Sequence, residues 1–522
     1  MKNVSKLLSF LILVLFYGAC APKPAEIKSP NIIFILADDL GYGDIKSFNS
    51  ASKIPTPNLD QLASEGMRFT DAHTTSSVCT PTRYALLTGR YNWRSSLKSG
   101  VLTGKSKALI PKTRTTVASL LKSKGYETAF IGKWHLGWDW GIKESTEFVD
   151  GGWNSSDFDQ IDFAKPVANG PNELGFDYAY GHAGSLDMAP YVYVENGNVT
   201  KIPDKVTIDE GEYSWWREGP TSPDFIHEEV TPNFFERSIE YIETHALQEK
   251  PFFLYLALPS PHTPILPPIE WQGKSKMLPY GDFMMMIDDY IGRINQTLKI
   301  AGIDENTLVI FMSDNGCSPA AGFDKLVEMG HFPSAHFRGH KADIYEGGHR
   351  VPFIAKWPAK IKAGTVRDET ISIADFFATA ADIVDYSIVD SEGEDSYSLV
   401  PLFDFEKKSI AFREATVFHS VEGNFAIRKG DWKLILAKGS GGWSFPRPGD
   451  PAEVNLPDFQ LYNLASDPGE KNNLGATEPN KVEELRLLLT KYIEDGRSTP
   501  GVPQANDAFG EEWKQVWFIN EK

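Results

Sequence analysis

The segment Cys79-Thr80-Pro81-Thr82-Arg83-Tyr84-Ala85-Leu86-Leu87-Thr88-Gly89-Arg90 places a cysteine at a predicted helix start, with proline two and arginine four residues on. Proline is tolerated in a first helical turn, where its missing N–H would have no intrahelical partner anyway. Cys79 therefore meets the positive end of a helix, where backbone N–H groups and the dipole favour an anion. Taken alone, the same residues also fit a small buried thiol in front of a helix. Two further pairs, Asp38-Asp39 and Asp314-Asn315, each follow an apolar run that reads as a strand. Carboxylate and amide oxygens gathered beyond strand ends suit calcium or magnesium rather than zinc. One such pair is weak, because acids often cap the next helix; two at matching positions form a pattern. In Gly132-Lys133-Trp134-His135-Leu136-Gly137, Lys133 and His135 are two apart, so an extended backbone would aim both to one side and Trp134 to the other. In Pro261-His262-Thr263-Pro264 the prolines restrict the loop that carries His262. With Lys341 in Arg338-Gly339-His340-Lys341, the residues Arg83, Lys133, His135 and His262 would make a local positive pocket.

These motifs together resemble those of the type I, formylglycine-dependent sulfatases, in the arylsulfatase-like carbohydrate sulfatase form carried by bacterial lipoproteins. The likeness runs from Asn31 to Leu461-Tyr462-Asn463-Leu464 and Asp467-Pro468-Gly469-Glu470. It implies that Cys79 is oxidised to formylglycine (3-oxoalanine) by a formylglycine-generating or anaerobic sulfatase-maturating enzyme. It further implies that Asp38, Asp39, Asp314, Asn315 and an oxygen of the modified Cys79 hold one Ca2+. By the same resemblance, Lys133 contacts nucleophile and sulfate, and His135 holds a hydroxyl of the aldehyde hydrate and acts as base. His262 binds sulfate and protonates the leaving alcohol, Lys341 bridges sulfate and leaving group, and Arg83 pairs with metal ligands and nucleophile. One hydroxyl of the hydrate attacks sulfur, and deprotonating the other expels sulfate; a serine or thiol has no such exit. The activity implied is that of a sulfuric ester hydrolase on a sulfated carbohydrate: an algal glycan such as ulvan, carrageenan or porphyran, or a glycosaminoglycan. Two alternatives stand beside it. A phosphatase or phosphonate monoester hydrolase of the same superfamily is one; a two-zinc phosphatase would need further histidines and an Asp-His pair in place of Asp314-Asn315. The other is an inactive glycan-binding surface lipoprotein in which Cys79 stays a thiol.

Recognition of the sugar has weaker signals. Ser185 and Asp187, after Gly175-Phe176-Asp177-Tyr178, form one candidate rim, with His182 beside it. His331, His336, His340 and His349 crowd near Lys341 and read equally as rim or as turn and surface histidines. Trp215-Trp216-Arg217 and Trp443 could stack on sugar rings, although core is the commoner use of tryptophan. His419 and Arg497 are weaker candidates.

The chain of 522 residues calls for one large domain and a smaller one. A net charge of -18 argues against nucleic acid as a partner, although salt screening leaves room for a local cationic pocket. Lys2 and Lys6, the apolar run Leu7 to Tyr17 and Gly18-Ala19-Cys20 have the layout of a signal peptide (1–19) with a lipidated Cys20. Tyr17 departs from the aliphatic residue usual in a lipobox. Losing residues 1–19, with two lysines and no acid, takes the charge from -18 to -20. A tether over 20–29 would hang the enzyme from a membrane, facing periplasm or cell surface. With Cys20 lipidated and Cys79 oxidised, Cys317 would be the last of three cysteines and no intrachain disulfide could form.

The elements that must position these groups alternate strand and helix. Strands are predicted at Asn31 to Ala37, Glu127 to Ile131, Phe252 to Leu258 and Leu308 to Met312; helices at Pro57 to Met67, Thr116 to Lys124 and Asp282 to Ala301. The Met284 to Met286 trio reads as core filling. Short strands at Thr416 to His419, Phe425 to Arg428 and Trp432 to Leu436 precede a helix at Lys481 to Glu494, and the aromatic tail is expected to fold back. The fold class expected is α/β: an alkaline-phosphatase-like large mixed sheet sandwiched by helices over 30–404, with a smaller C-terminal α+β unit over 405–522.

Overall fold

A computed structural model describes residues 29–153, 157–404, 413–508 and 512–519. The expected leader, Cys20, the tether to residue 28 and the stretch 405–412 at the expected domain boundary lie outside the described residues.

Asn31–Ala37 is apolar throughout because it is buried on both faces. It runs parallel to Thr307–Ser313 on one side and to Phe252–Ala257 on the other. Glu127–Lys133 and Tyr178–His182 extend this parallel block. Antiparallel strands flank it at Phe353–Lys356 and Val194–Glu195, within a ten-stranded mixed sheet. Ile32, Phe34 and Leu36 face a core shared with helices Cys79–Thr88, Val117–Ser123 and Asp375–Ile383. Ile33 and Ile35 face the other core, filled by Pro57–Glu65, Val230–His245 and Leu278–Ile300. Met284 and Met286 belong to that second core.

The expected helix from Pro57 stops at Glu65, and Met67–Phe69 turns into a sheet strand instead. The long helix starts at Leu278, earlier than its apolar stripe suggested, with Pro279 in its first turn. Thr116 caps helix Val117–Ser123, accepting from Ser119 N–H at 3.1 Å. Tyr178–His182 was not expected as a strand, because Gly181 and the polar-tipped Tyr178, Tyr180 and His182 mask its pattern.

Thr416–His419, Phe425–Lys429, Trp432–Ile435 and Gln460–Asn463 form a separate antiparallel sheet; the fourth strand is the one not foreseen. Helix Pro479–Glu494 lays Leu485, Leu489, Tyr492 and Ile493 into its core. Phe518 of the tail is buried there as well.

Candidate active site

Register builds the site. Ala37 pairs with Ser313, so the residues that follow, Asp38 and Asp314, leave adjacent strands at the same sheet edge. Gly132 pairs with both Ala257 and Gly181 in that row. A Cβ on Gly132 would sit 1.8 Å from the Ala257 carbonyl oxygen, so only glycine fits between Ile131 and Lys133. Cys79 opens the Cys79–Thr88 helix, 2% exposed, behind Val78 as N-cap.

Asp39 has φ +67, a costly conformation for a residue with a side chain. Its N–H donates to Asp314 Oδ1 (3.2 Å), and its carbonyl accepts from the Tyr280 hydroxyl (3.2 Å). Tyr280 also bonds Asp44, whose other oxygen takes His331 Nε2 at 2.8 Å. Neither Tyr280 nor Asp44 was singled out from sequence, since Tyr280 lies ahead of the helix expected from Asp282.

Arg83 donates to Asp314 Oδ2 through Nε and Nη2 (3.1 and 2.7 Å) and to the Lys133 carbonyl through Nη1 (2.9 Å). Lys133 Nζ lies 2.6 Å from Asp38 Oδ2, and Lys341 Nζ lies 2.7 Å from Asp39 Oδ1. The positive pocket expected from sequence is corrected here. Arg83, Lys133 and Lys341 are matched one for one by Asp38, Asp39 and Asp314, so the buried lattice is neutral when all three carboxylates are ionised. Burial pushes the Asp314 carboxyl up to about 7, with Asp38 facing it adding to the effect. Burial works the same way on Asp38, but Lys133 and its other cationic neighbours outweigh it and hold Asp38 below the usual carboxylate range. Burial likewise opposes the Lys341 ammonium, and Asp39 more than compensates, keeping it charged. Burial lifts the Cys79 thiol above its ordinary value against the pull of Lys133 and Lys341, so the encoded thiol is a poor nucleophile as it stands.

His135 departs from the extended geometry expected: its φ is +52, beyond the end of the strand. Its Nε2 donates to the Leu102 carbonyl at 2.7 Å, which leaves Nδ1 as a buried lone pair with no partner. Burial, then Lys133, holds its pKa well below the usual histidine range. Trp134 does face away, edge-on to Phe130 at 5.0 Å. His262 Nδ1 donates to the Thr263 carbonyl (2.6 Å), leaving Nε2 free 3.8 Å from Asp39 Oδ2.

The residues fit a hard cation. Asp38 Oδ1 and Asn315 Oδ1 are buried side-chain oxygens with no hydrogen-bond partner. Asn315 Nδ2 is committed to Asp39 Oδ1 (2.7 Å) and the Gly316 carbonyl (2.9 Å), which turns Oδ1 away from both. These two orphaned oxygens, with the carboxylates of Asp39 and Asp314 beside them, make an oxygen donor set of the calcium type.

A pocket of about 400 Å³ opens over these groups, with Cys79, His262 and Lys341 among its lining residues and Ser185 and Asp187 on its side. Ser185 Oγ and Asp187 Oδ1 are buried without partners. His340 does not line it: its Nε2 meets Ser444 Oγ at 3.1 Å, and the residue faces a neighbouring groove. The histidine rim is corrected too. His331 is buried on Asp44, and His336 lies against Phe337. His349 is buried with His73, their Nδ1 atoms 3.0 Å apart. That pair sits among the acids Asp71, Glu346 and Glu470 and the bases Arg350, Arg428 and Lys433, an ion-pair network joining the C-terminal sheet. His182 stacks on Phe234, and burial lowers its pKa to about 3; His419, beside Asn92, is likewise buried and lowered to about 3. Trp216 stacks on His227 at 4.0 Å, and Arg497 ties the tail to Asp390 (3.1 Å).

Comparison with known proteins decides the family. The family model for sulfatases matches residues 30–386. The chain belongs to the sulfatase family. This sulfatase is 33% identical to an N-acetylgalactosamine-6-O-sulfatase of Bacteroides thetaiotaomicron, over 94% of this chain and 99% of that one. It is 32% identical to human arylsulfatase A, over 95% and 93% of the two chains. A solved structure from work on the metabolism of multiple glycosaminoglycans by Bacteroides thetaiotaomicron superposes with a TM-score of 0.76 at 30% identity, covering 89% of this chain and 99% of that one. The sulfatase is accordingly an enzyme that hydrolyses sulfate esters, on the alkaline-phosphatase-like fold expected.

Proposed function

We propose that this sulfatase desulfates a glycan through an aldehyde derived from Cys79, with one calcium ion held by Asp38, Asp39, Asp314 and Asn315. The observation that carries the reading is that buried Cys79 lies within the electrostatic reach of Lys133, Lys341, Asp314 and Asp38, beside the orphaned oxygens of Asp38 and Asn315. The aldehyde hydrate supplies a hydroxyl nucleophile, and the cation supplies charge that favours both its ionisation and sulfate binding. Lys133 and Lys341, paired here with Asp38 and Asp39, would be available to sulfate oxygens if a cation engaged those carboxylates. His135 Nδ1 accepts a proton, because Nε2–H is fixed on Leu102. His262 Nε2 holds the proton for the leaving oxygen, because Nδ1 is fixed on Thr263. Arg83 fixes Asp314 from two nitrogens.

A 6-O-sulfated N-acetylgalactosamine unit is the substrate we favour, on the strength of the end-to-end match to an N-acetylgalactosamine-6-O-sulfatase. Ser185 Oγ and Asp187 Oδ1 are the partners offered to its hydroxyls. The leader and Cys20 support a lipid-anchored enzyme facing periplasm or cell surface; among the described residues no helix is long and apolar enough to cross a membrane. Mass spectrometry of the Cys79 peptide from a host with a maturation enzyme should show the aldehyde, and an unchanged thiol refutes the nucleophile. Sulfate release from 6-sulfated N-acetylgalactosamine should stop with chelator and return with calcium. Faster cleavage of the matching phosphate ester would favour the phosphatase alternative.

A further inference from the structure

The chain has 13 tryptophans, and three of them are more than a third exposed: Trp153 (44%), Trp215 (38%) and Trp443 (41%). All three line the pocket that holds Cys79, His262 and Lys341. They come from three separate stretches of chain, so their convergence is not a matter of sequence proximity. An indole left in water forgoes a large apolar burial, and three at one pocket mouth make a surface suited to an apolar face.

The polar groups run outward in order. His262 Nδ1 lies 4.0 Å from Asp187 Oδ1. Asp187 Oδ2 takes Arg217 Nη1 at 2.5 Å. The Arg217 guanidinium lies 4.7 Å from the Trp215 ring centroid and 5.2 Å from that of Trp153. Asp187 thus has one oxygen holding the aromatic wall and the other, Oδ1, buried and unpartnered toward the catalytic groups. Because Asp187 neutralises Arg217, the wall offers flat aromatic surface rather than net positive charge. A pyranose matches both parts, with hydroxyls around its edge and C–H groups on its face.

We propose that Trp153, Trp215 and Trp443 form a second sugar subsite that stacks on the ring next to the sulfated one, so that the enzyme prefers a sulfated oligosaccharide end to a free monosaccharide sulfate. The proposal rests on the sulfated-glycan reading and adds a specificity determinant to it. Asp187 sits at the junction, between His262 and Arg217.

The test measures kcat/KM for 6-sulfated N-acetylgalactosamine and for a disaccharide ending in that unit, with wild type, Trp153→Ala, Trp215→Ala and Trp443→Ala. Both substrates meet the same preparation, so any loss of folded or matured enzyme cancels from the disaccharide-to-monosaccharide ratio. In wild type the ratio should exceed one by roughly tenfold or more, and Trp215→Ala should lower it roughly tenfold, the scale of one aromatic contact. Sulfate release from both substrates with a wild-type ratio near one, or with a ratio unmoved in all three variants, overturns the subsite alone. Release from neither substrate by matured, calcium-loaded wild type overturns the favoured substrate and the subsite with it.

Discussion

Asn315→Asp is the most searching perturbation of the metal reading, because it changes one atom at the centre of the site. In wild type, Asn315 Nδ2 donates to Asp39 Oδ1 at 2.7 Å. An ionised aspartate there would place two like charges at that separation. At an effective dielectric of about 20 their repulsion is about 6 kcal/mol. Protonating a carboxyl of ordinary pKa at pH 7 costs only about 4 kcal/mol. Proton uptake wins, so the metal-free variant should carry about one proton more than wild type at this pair. A cation bound to the ionised carboxylates must expel it. Wild type should itself release part of a proton at pH 7, because burial and Asp38 push Asp314 up to about 7. Calcium titrations by calorimetry, in two buffers of different ionisation enthalpy at pH 7, count the protons directly. The variant should release about one proton more per calcium than wild type. An equal count in the two proteins would refute the shared site of Asn315 and Asp39.

Other outcomes follow from the same geometry. Wild-type calcium affinity should weaken as pH falls below about 7, where Asp314 gains its proton, and should level off above it, which binding isotherms from pH 6 to 8.5 would check. Lys341→Ala removes the cation on Asp39 and should lower kcat/KM about 10²–10³-fold with calcium binding retained. His135→Ala removes the free Nδ1 and should lower kcat about 10²–10⁴-fold with a smaller change in KM, measured by initial-rate sulfate release. Trp134→Ala empties a fully buried site against Phe130 and should cost about 3–5 kcal/mol, read as a lower urea midpoint.

Asn31–Ala37 and Thr307–Ser313 were legible because each has a continuous apolar run followed by polar residues, as at Ala37-Asp38 and Ser313-Asp314. The meeting of Asp38 and Asp314 followed from that, since the ends of parallel strands lie at one edge. Tyr178–His182 was illegible for the opposite reason: without a continuous apolar run its only signature is its neighbour Glu127–Lys133, which no local window contains. The histidines near Lys341 misled because type and spacing do not report burial; His331 and His349 serve hydrogen-bond networks inside the protein. Charge was misleading in a different way. Five basic or titratable residues in motifs imply a positive pocket, but the carboxylates that neutralise three of them lie up to 302 residues away in sequence. Trp153 carried no signal, whereas Trp215 and Trp443 were candidates whose exposure only the fold reveals.

The burial of Cys79 has a consequence in time. Its side chain lies at the base of a pocket, 2% exposed, on a helix covered by the large sheet. That sheet closes only when strands from residues 31, 127, 252 and 307 have met in parallel, and pairings of such long range form slowly. On the proposed reading, a maturation enzyme has to reach the thiol before this closure, so oxidation and folding compete for the same chain. A variant that folds faster would then yield more protein and less enzyme: the yield of aldehyde would measure folding time, not only the abundance of the modifying partner.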